Sequence, residues 1–309
     1  MLKNKLKYLL GAFVLIVVID QFIGKVIPFY AQKQKIDKRL ELLIDNKINS
    51  KIIILGSSRA LNNYNPWVIK NITGQTCYNL GYSGSNIVFH EIILDLILKS
   101  KNKPKTIIYN IDDLGILYNV DGIEFRKDVL FPFVNNNLIN EAINNNLNKS
   151  NWATLVSQTY RQNVNFINAI RYLVYGQENF DYKTNNIDSL GANLLVNREL
   201  DSVPVFSSNR IYPKILQINP DYLAAFIRIQ NKCLSNNIQL VLCYPPLFLK
   251  PSKFLKFQVN ALKTSNVPVI IADTLLQNAN YFFDNDHLNS KGANLYSNFI
   301  SKQILLFKK

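Results

Sequence analysis

Short apolar, β-branched runs alternate with helical segments along most of this chain, and this alternation constrains its fold more than any other feature. Continuous apolar runs of five to seven residues are typical of strands that are buried on both faces. Strands that alternate with helices pair in parallel. The sequence therefore predicts an α/β fold, a parallel five-stranded sheet with helices on both faces. The expected strands are residues 51–55, 76–80, 106–111, 238–244 and 267–272.

The stretch between the third expected strand and Asn219 lacks this alternation over roughly a hundred residues. Loops of that length are uncommon inside a compact domain. We therefore expect a domain at residues 51–309 that contains a largely helical insertion at about 114–218. The pair Asn219-Pro220 predicts the start of the next helix, because Asn caps helices and Pro suits their first turn.

The first thirty residues predict a membrane anchor. An apolar run from Tyr8 to Ile19 continues with interruptions to Ile27, and a membrane-spanning helix needs about 20 residues. A cleaved signal peptide is the alternative, but Phe29 stands where a cleavage site requires a small residue. We expect an anchor at 1–30 and a linker at 31–50 with an amphipathic helix at 36–47.

The net charge of +14 would fit either nucleic acid or an anionic membrane surface as a partner. Residues 1–51 hold ten basic and four acidic side chains, so six of these fourteen charges flank the apolar segment. The rest are spread thinly, without the runs of basic and aromatic residues that a nucleic-acid groove needs. We expect the membrane and no nucleic acid as a partner. Basic residues lie on both sides of the segment, so charge leaves its orientation open.

Cysteine and histidine usage limits the chemistry. The three cysteines form no CxxC pair, which argues against a zinc site or a disulfide framework, and no metal or cofactor is expected. Of the two histidines, His90 lies in a strongly apolar helical segment and is expected to be a buried structural residue.

Residues that can carry catalysis stand where expected strands end, which is where open α/β sheets bind ligands. The first strand leads into a Gly-Ser-Ser-Arg turn that exposes Ser58. The second is followed by the glycine-rich turn 79–84, and a late loop contains Asp284 three residues before His287. A serine needs a base to take its proton and a third group to orient that base. His287 is the expected base.

These three segments, 56–59, 79–84 and 284–287, resemble the first, second and fifth sequence blocks of the SGNH/GDSL hydrolase superfamily. The resemblance covers about residues 50–309 outside the insertion and implies a flavodoxin-like sheet. Ser57 stands where most members have Asp, as in membrane-anchored relatives that resemble the DltD and alginate-acetylation proteins. The Gly-x-Asn-Asp of the third block is absent.

The resemblance implies roles for seven residues. Ser58 would be the nucleophile, His287 the base and Asp284 the group that orients it. The N–H groups of Ser58 and Gly84 would stabilise the oxyanion. Asn110, Asp112 and Arg59 complete the expected oxyanion and substrate-binding set, and Arg59 could pair with Asp112 or remain a surface residue.

The function implied is that of a single-pass membrane protein with its catalytic domain outside the cytoplasm. It would be a serine esterase or O-acyltransferase acting on O-acyl, chiefly O-acetyl, esters of an envelope glycan. Hydrolysis and transfer share every step up to the acyl-enzyme, so both stay open. A membrane-bound O-acyltransferase is a further expected partner. The alternative is a catalytically degenerate domain that binds glycan or acts as a scaffold in an acylation complex.

Overall fold

The computed structural model describes residues 2–31, 37–147, 152–175, 186–196, 217–248, 253–262 and 267–307. By its contacts, the chain divides into two compact units. One comprises residues 1–37 and 126–185, and the other comprises 38–125 and 186–309.

The larger unit is built on a fully parallel five-stranded sheet in the order β2-β1-β3-β4-β5, the order of flavodoxin-like sheets. This confirms the predicted fold class. Each strand lies within two residues of its expected bounds, and nearly every strand residue is buried. The strands are β1 (Ile52–Gly56), β2 (Cys77–Gly81), β3 (Thr106–Asn110), β4 (Gln239–Tyr244) and β5 (Val269–Ile271).

Among the described residues, seven α-helices belong to this unit. The amphipathic helix expected at 36–47 is shorter, six residues, because Asp45 ends it and Asn46 adopts a positive φ of 57°. The helices are α2 (Arg39–Ile44), α3 (Ser58–Asn63), α4 (Pro66–Thr73), α5 (Ile87–Lys99), α11 (Pro220–Ser235), α12 (Lys253–Leu262) and α13 (Ser290–Leu306).

Alternate strand residues point to opposite faces of the sheet. Because both sets of side chains are mostly apolar, helices cover both faces. On one face, Ile54 and Ile108 pack in a cluster with α3, α4 and α13. On the other, α5 packs against α11, and Tyr109 makes edge contacts with His90 and Phe226. As the sequence predicts, Asn219 caps α11: its side chain accepts from an N–H in the first turn of the helix.

The smaller unit is helical. Its helices are α1 (Leu2–Ala31), α6 (Lys127–Leu130), α7 (Asn137–Leu147), α8 (Trp152–Val156), α9 (Gln158–Arg161) and α10 (Asn163–Tyr175). In the described part of the chain, α1 is the one helix that is long and apolar enough to cross a membrane, over Asn4–Tyr30.

The predicted insertion at 114–218 is distributed between the units. Residues 114–125 and 186–196 have mostly irregular backbone and belong to the larger unit, whereas the helices from 127 to 175 belong to the smaller one. The parts of the insertion at 176–185 and 197–216 lie outside the described residues. Its two ends meet in the larger unit, because the Asn219 N–H donates to the Leu117 carbonyl at 2.8 Å.

Candidate active site

Ser58 lies at the first position of α3, directly beyond the carboxyl end of β1. The turn that exposes it depends on Gly56, which has a φ of +142°. A Cβ atom at this position would lie 2.8 Å from the Cβ of Asn110 and 2.9 Å from that of Ala60. Only glycine fits both the backbone conformation and the space, so Gly56 lets the chain turn tightly from the sheet into the helix that begins with Ser58.

The structure brings His287 to Ser58 across 229 residues of sequence. The Nε2 atom of His287 lies 2.9 Å from the Ser58 Oγ, and its Nδ1 lies 3.0 Å from each carboxylate oxygen of Asp284. An ionised carboxylate can only accept hydrogen bonds, so Nδ1 carries the proton and Nε2 is left to accept from the serine hydroxyl. This is the arrangement in which a histidine can take a proton from a serine.

The turn at Asp284–His287 holds the base by local contacts. One carboxylate oxygen of Asp284 accepts from the backbone N–H groups of Asp286 and His287, each at 2.8 Å. Burial tends to raise the pKa of the Asp284 carboxyl, but hydrogen bonds from the His287 ring and these two N–H groups outweigh burial, so its pKa lies below the ordinary value. Asp284 therefore stays ionised.

A second contact joins the nucleophile's helix to the base. The Asn63 side-chain oxygen accepts from the Leu288 N–H at 2.9 Å, one residue after His287. Ser58 and Asn63 are the first and last residues of α3. One short helix thus carries Ser58 and is bonded to the segment that carries His287. Sequence reasoning missed Asn63, because a polar residue in a short helix gives no sign of a partner 225 residues away.

Arg59 is buried next to the nucleophile, with 4% of its surface exposed. Its Nη2 donates to the carbonyls of Pro245 at 2.5 Å and Pro246 at 3.3 Å, and its guanidinium lies 4.7 Å from the centre of the Tyr244 ring. The expected pairing with Asp112 is therefore replaced by contacts with the end of β4. The reason is geometric: β4 neighbours β3 in the sheet, and its terminal carbonyls lie within reach of the arginine side chain.

Asp112 lies at the cavity and is held by its neighbours. It accepts from the Asn110 side-chain amide at 2.8 Å, and the Ser57 hydroxyl also bonds to it. Burial raises the pKa of Asp112, although the charge of Arg59 and these two hydrogen bonds act in the opposite direction.

Asn110, proposed above for the oxyanion or substrate site, is fully buried. Its side-chain oxygen accepts from the Tyr64 hydroxyl at 3.2 Å, and its amide is occupied by Asp112. The structure therefore places Asn110 behind the site, as a support for Asp112, rather than in it.

Gly84 occupies a turn that a neighbouring segment covers. Its φ is +67°, and its carbonyl accepts from the Glu124 N–H at 2.8 Å. The Asn86 N–H donates to the Glu124 carbonyl at 2.9 Å, so residues around 124 run along this turn. Gly84 does not line the described cavity, because the segment at 122–124 packs against its turn.

A cavity of about 420 Å³ opens at Ser58 and His287. One wall comes from residues 112–123, of which 114–123 belong to the expected insertion and to the larger unit. Sequence reasoning proposed Asp112 for the site but did not find the residues after it, because irregular backbone has no periodicity to read. Most of its polar members are carboxylates. The lining residues are Ser57, Ser58, Arg59, Asp112, Asp113, Leu114, Gly115, Asn119, Val120, Asp121, Ile123, Asp286 and His287.

His90 lies outside this site, as expected. It is 3% exposed, and its two ring nitrogens each lie 2.7 Å from a hydroxyl, that of Ser85 and that of Tyr109. Burial lowers the pKa of His90 to about 3. Its role in the structure is to join α5 to β3 and to the turn before α5. In the described ranges, no group of three or more His, Cys, Asp or Glu side chains is arranged to hold a metal ion.

Comparisons with known proteins give one family and one distant fold. No curated protein matches the chain. Six chains among the solved structures match. One is an acetyl xylan esterase, Est2A, from the rumen bacterium Butyrivibrio proteoclasticus, with 9% sequence identity and a TM-score of 0.35. The match covers 84% of this chain and 65% of that one.

The family comparison covers more than half of the sequence. The family described as "Protein of unknown function (DUF1574)" matches residues 13–172, which include most of α1, the first three strands and the Ser58 turn. On the strength of this match, the chain belongs to the DUF1574 family.

Proposed function

We propose that this protein is a membrane-anchored serine esterase or O-acyltransferase of SGNH/GDSL type that acts on O-acyl, chiefly O-acetyl, esters of an extracellular or envelope glycan. The observation that carries the proposal is the continuous chain of hydrogen bonds from Asp284 through His287 to Ser58, with every link at 2.9 or 3.0 Å. Its members come from two segments, the turn at Ser58 and the turn at 284–287, which the fold brings together beside one cavity.

The geometry supports an acyl-enzyme mechanism. As the Ser58 Oγ attacks the ester carbonyl, Nε2 of His287 takes the hydroxyl proton, and the Asp284 carboxylate stabilises the imidazolium that forms. Nε2 then returns the proton to the departing alcohol. In the second half, His287 activates either water or an acceptor hydroxyl, which attacks the acyl-enzyme and releases Ser58.

The developing oxyanion requires donors near Ser58. The N–H of Ser58 itself lies in the first turn of α3, where backbone N–H groups have no partner within the helix. The side chains of Asp113, Asn119 and Asp121 line the same cavity. Carboxylate and amide groups of this kind bind the hydroxyl groups of a sugar, which supports a glycan ester over a purely apolar one.

Location outside the cytoplasm is part of the proposal. Its support is α1, whose Asn4–Tyr30 segment is long and apolar enough to span a bilayer and whose residues 4–19 are all exposed in the structure. A membrane-bound O-acyltransferase that supplies acyl groups across the membrane is the partner we propose if the reaction is transfer.

A fluorophosphonate probe tests the proposal, because it reacts only with an activated serine. We expect the full-length protein to be labelled and Ser58→Ala to remain unlabelled. The Ser57→Ala variant controls for the adjacent hydroxyl and should retain labelling. Release of acetate from an O-acetylated polysaccharide, compared with transfer to an added sugar acceptor, then separates hydrolysis from transfer. A folded wild-type protein that never reacts with the probe would contradict the proposal.

One observation favours the alternative of a glycan-binding or scaffold domain without catalysis. Gly84 and Asn110 are not among the residues that line the described cavity, which would leave Ser58 without the two further oxyanion donors that the resemblance implied. Loss of one such donor costs about 10²–10³-fold in rate. If this alternative holds, the unlabelled protein will bind the polysaccharide, and Ser58→Ala will bind it with the same affinity.

A further inference from the structure

The smaller unit exposes an apolar surface that a water-soluble helical domain would bury. On α10, five large side chains are exposed between 37% and 65%, and they recur at spacings of three, four and seven residues. These spacings place them on one face of the helix. Contiguous apolar surface of this kind marks a contact with a membrane or a partner. The five residues, called here the α10 face, are Phe166, Ile167, Ile170, Leu173 and Val174.

The α10 face lies beside the helix that we propose to enter the membrane. α1 packs against α9 and α10 within the same compact unit. Residues 4–19 of α1 are all exposed, whereas burial begins at Asp20 and reaches 5% exposure at Ile27. The amino-terminal half of α1 is therefore bare, and its carboxyl-terminal third is covered by α9 and α10.

A polar contact determines the position along α1 at which the insertion packs against it. Asp20, the one acidic residue in α1, accepts from the Ser157 hydroxyl at 2.9 Å and from the backbone N–H groups of Gln158 at 2.8 Å and Thr159 at 3.1 Å. A carboxylate within a membrane-spanning helix is costly unless it is bonded. The hydrogen bonds from residues 157–159 reduce the free-energy cost of placing the Asp20 carboxylate in the membrane.

The position of this contact within the apolar segment of α1 determines whether the α10 face lies next to lipid or next to water. Asp20 lies seven residues before Ile27, the end of the apolar segment, which corresponds to about 10 Å along the helix. The first turn of α9 is held at that level, and α10, which follows α9 in the chain, packs against α1. The exposed α10 face and the exposed residues 4–19 of α1 therefore belong to two helices in direct contact.

We propose that the α10 face is a second membrane contact, inserted in the lipid of the same bilayer that α1 enters. The proposal rests on the proposed membrane location of α1 and extends it from one helix to the inserted helices. Exposed apolar residues lie on two adjoining helices of one compact unit, so both helices should contact the same apolar environment. Because we propose that α1 enters a membrane, that environment is lipid.

Fluorescent labels on introduced cysteines test this in proteoliposomes that hold the full-length protein. The three native cysteines are buried, and the unsubstituted protein serves as the labelling blank. An environment-sensitive dye is attached at Ile170→Cys or Leu173→Cys, and the vesicles contain a nitroxide-bearing phospholipid as quencher. Leu15→Cys on α1 reports lipid contact of the anchor, and Leu234→Cys on α11 is the matched control, because Leu234 is an equally exposed leucine of the larger unit.

We expect blue-shifted emission and loss of fluorescence with the lipid quencher at Ile170 and Leu173, to an extent similar to that at Leu15, and neither effect at Leu234. Quenching at Leu15 with none at Ile170 and Leu173 would overturn the second contact and leave the anchor intact. No quenching at Leu15 would overturn both. A blue shift at Leu173 that lipid does not quench, and that disappears when the protein is diluted in a large excess of lipid, would assign the face to a second copy and refute the lipid contact.

Discussion

In the proposed mechanism, Ser58 acts as a nucleophile only if His287 takes its proton. We expect His287→Ala to lower ester turnover about 10⁴-fold, since an isolated serine hydroxyl is a poor nucleophile. His90→Ala should leave turnover per folded molecule nearly unchanged, because His90 contacts Ser85 and Tyr109 and does not line the cavity. Steady-state kinetics with a chromogenic acetyl ester measure both. Equal losses in two folded variants would contradict the assignment of the base.

The orientation of the base depends on Asp284 rather than on its neighbour Asp286. Both carboxylate oxygens of Asp284 contact Nδ1 of His287, whereas Asp286 lines the cavity. The helix that follows is capped by Asn289 and not by Asp286. Asp284→Asn should reduce kcat about 10³–10⁴-fold by favouring the wrong histidine tautomer. Asp286→Asn should cost much less. The opposite order in the same assay would transfer the role to Asp286.

Burial of His90 predicts acid sensitivity. Its pKa in the folded state, about 3, lies below the ordinary value of 6.5, so the unfolded chain binds the proton first as the pH falls. The free energy of unfolding should therefore decrease by about 1.4 kcal/mol per pH unit from pH 6.5 toward 3. Urea titrations of the full-length protein in detergent at pH 7 and pH 5 would show this decrease, and His90→Gln should flatten it. An unchanged slope in that variant would assign the sensitivity to another group.

At the scale of elements, α3 connects the nucleophile to the base through Asn63. We expect Asn63→Ala to destabilise the protein by about 1–3 kcal/mol, because the buried Leu288 N–H loses its acceptor. It should also lower kcat about tenfold as the His287 segment loosens. Thermal melts and kinetics measure the two effects.

Asn62→Ala is the matched control for α3. The Asn62 side-chain oxygen has no hydrogen-bond partner among the described residues, although Asn62 is also buried and adjacent. If Asn62→Ala and Asn63→Ala reduce kcat equally, the effect comes from the packing of α3 and not from the contact with Leu288.

At the scale of the whole molecule, we expect the mature protein to retain residues 1–30. It should sediment with membranes and resist carbonate extraction, because an apolar helix of this length is held by the bilayer core. Protease added to cells whose outer barrier has been opened should digest the catalytic unit. Recovery of that unit intact inside the cytoplasm, or of a soluble protein that begins near residue 32, would contradict the anchor and remove the main support for a glycan substrate.

Much of this architecture could be read from local patterns. Continuous apolar runs predict buried strands wherever they occur, so the five strands and the parallel sheet followed from periodicity alone. The spacing of Asp284 and His287 is also local, since three residues in a turn suffice to bring a carboxylate to an imidazole. Asn219 was readable as a helix cap for the same reason: a cap bonds within its own first turn.

Other features depend on contacts between segments that are distant in the chain, and only the tertiary structure decides these. Arg59 binds carbonyls at the end of β4 instead of Asp112, and residues near 124 cover the turn of Gly84. Asp20 finds its donors at 157–159. Local sequence patterns indicate which side chains face the core. They do not indicate which polar group each of these side chains contacts there. The identity of that partner depends on strand order and loop path, and these arise only when the whole chain packs.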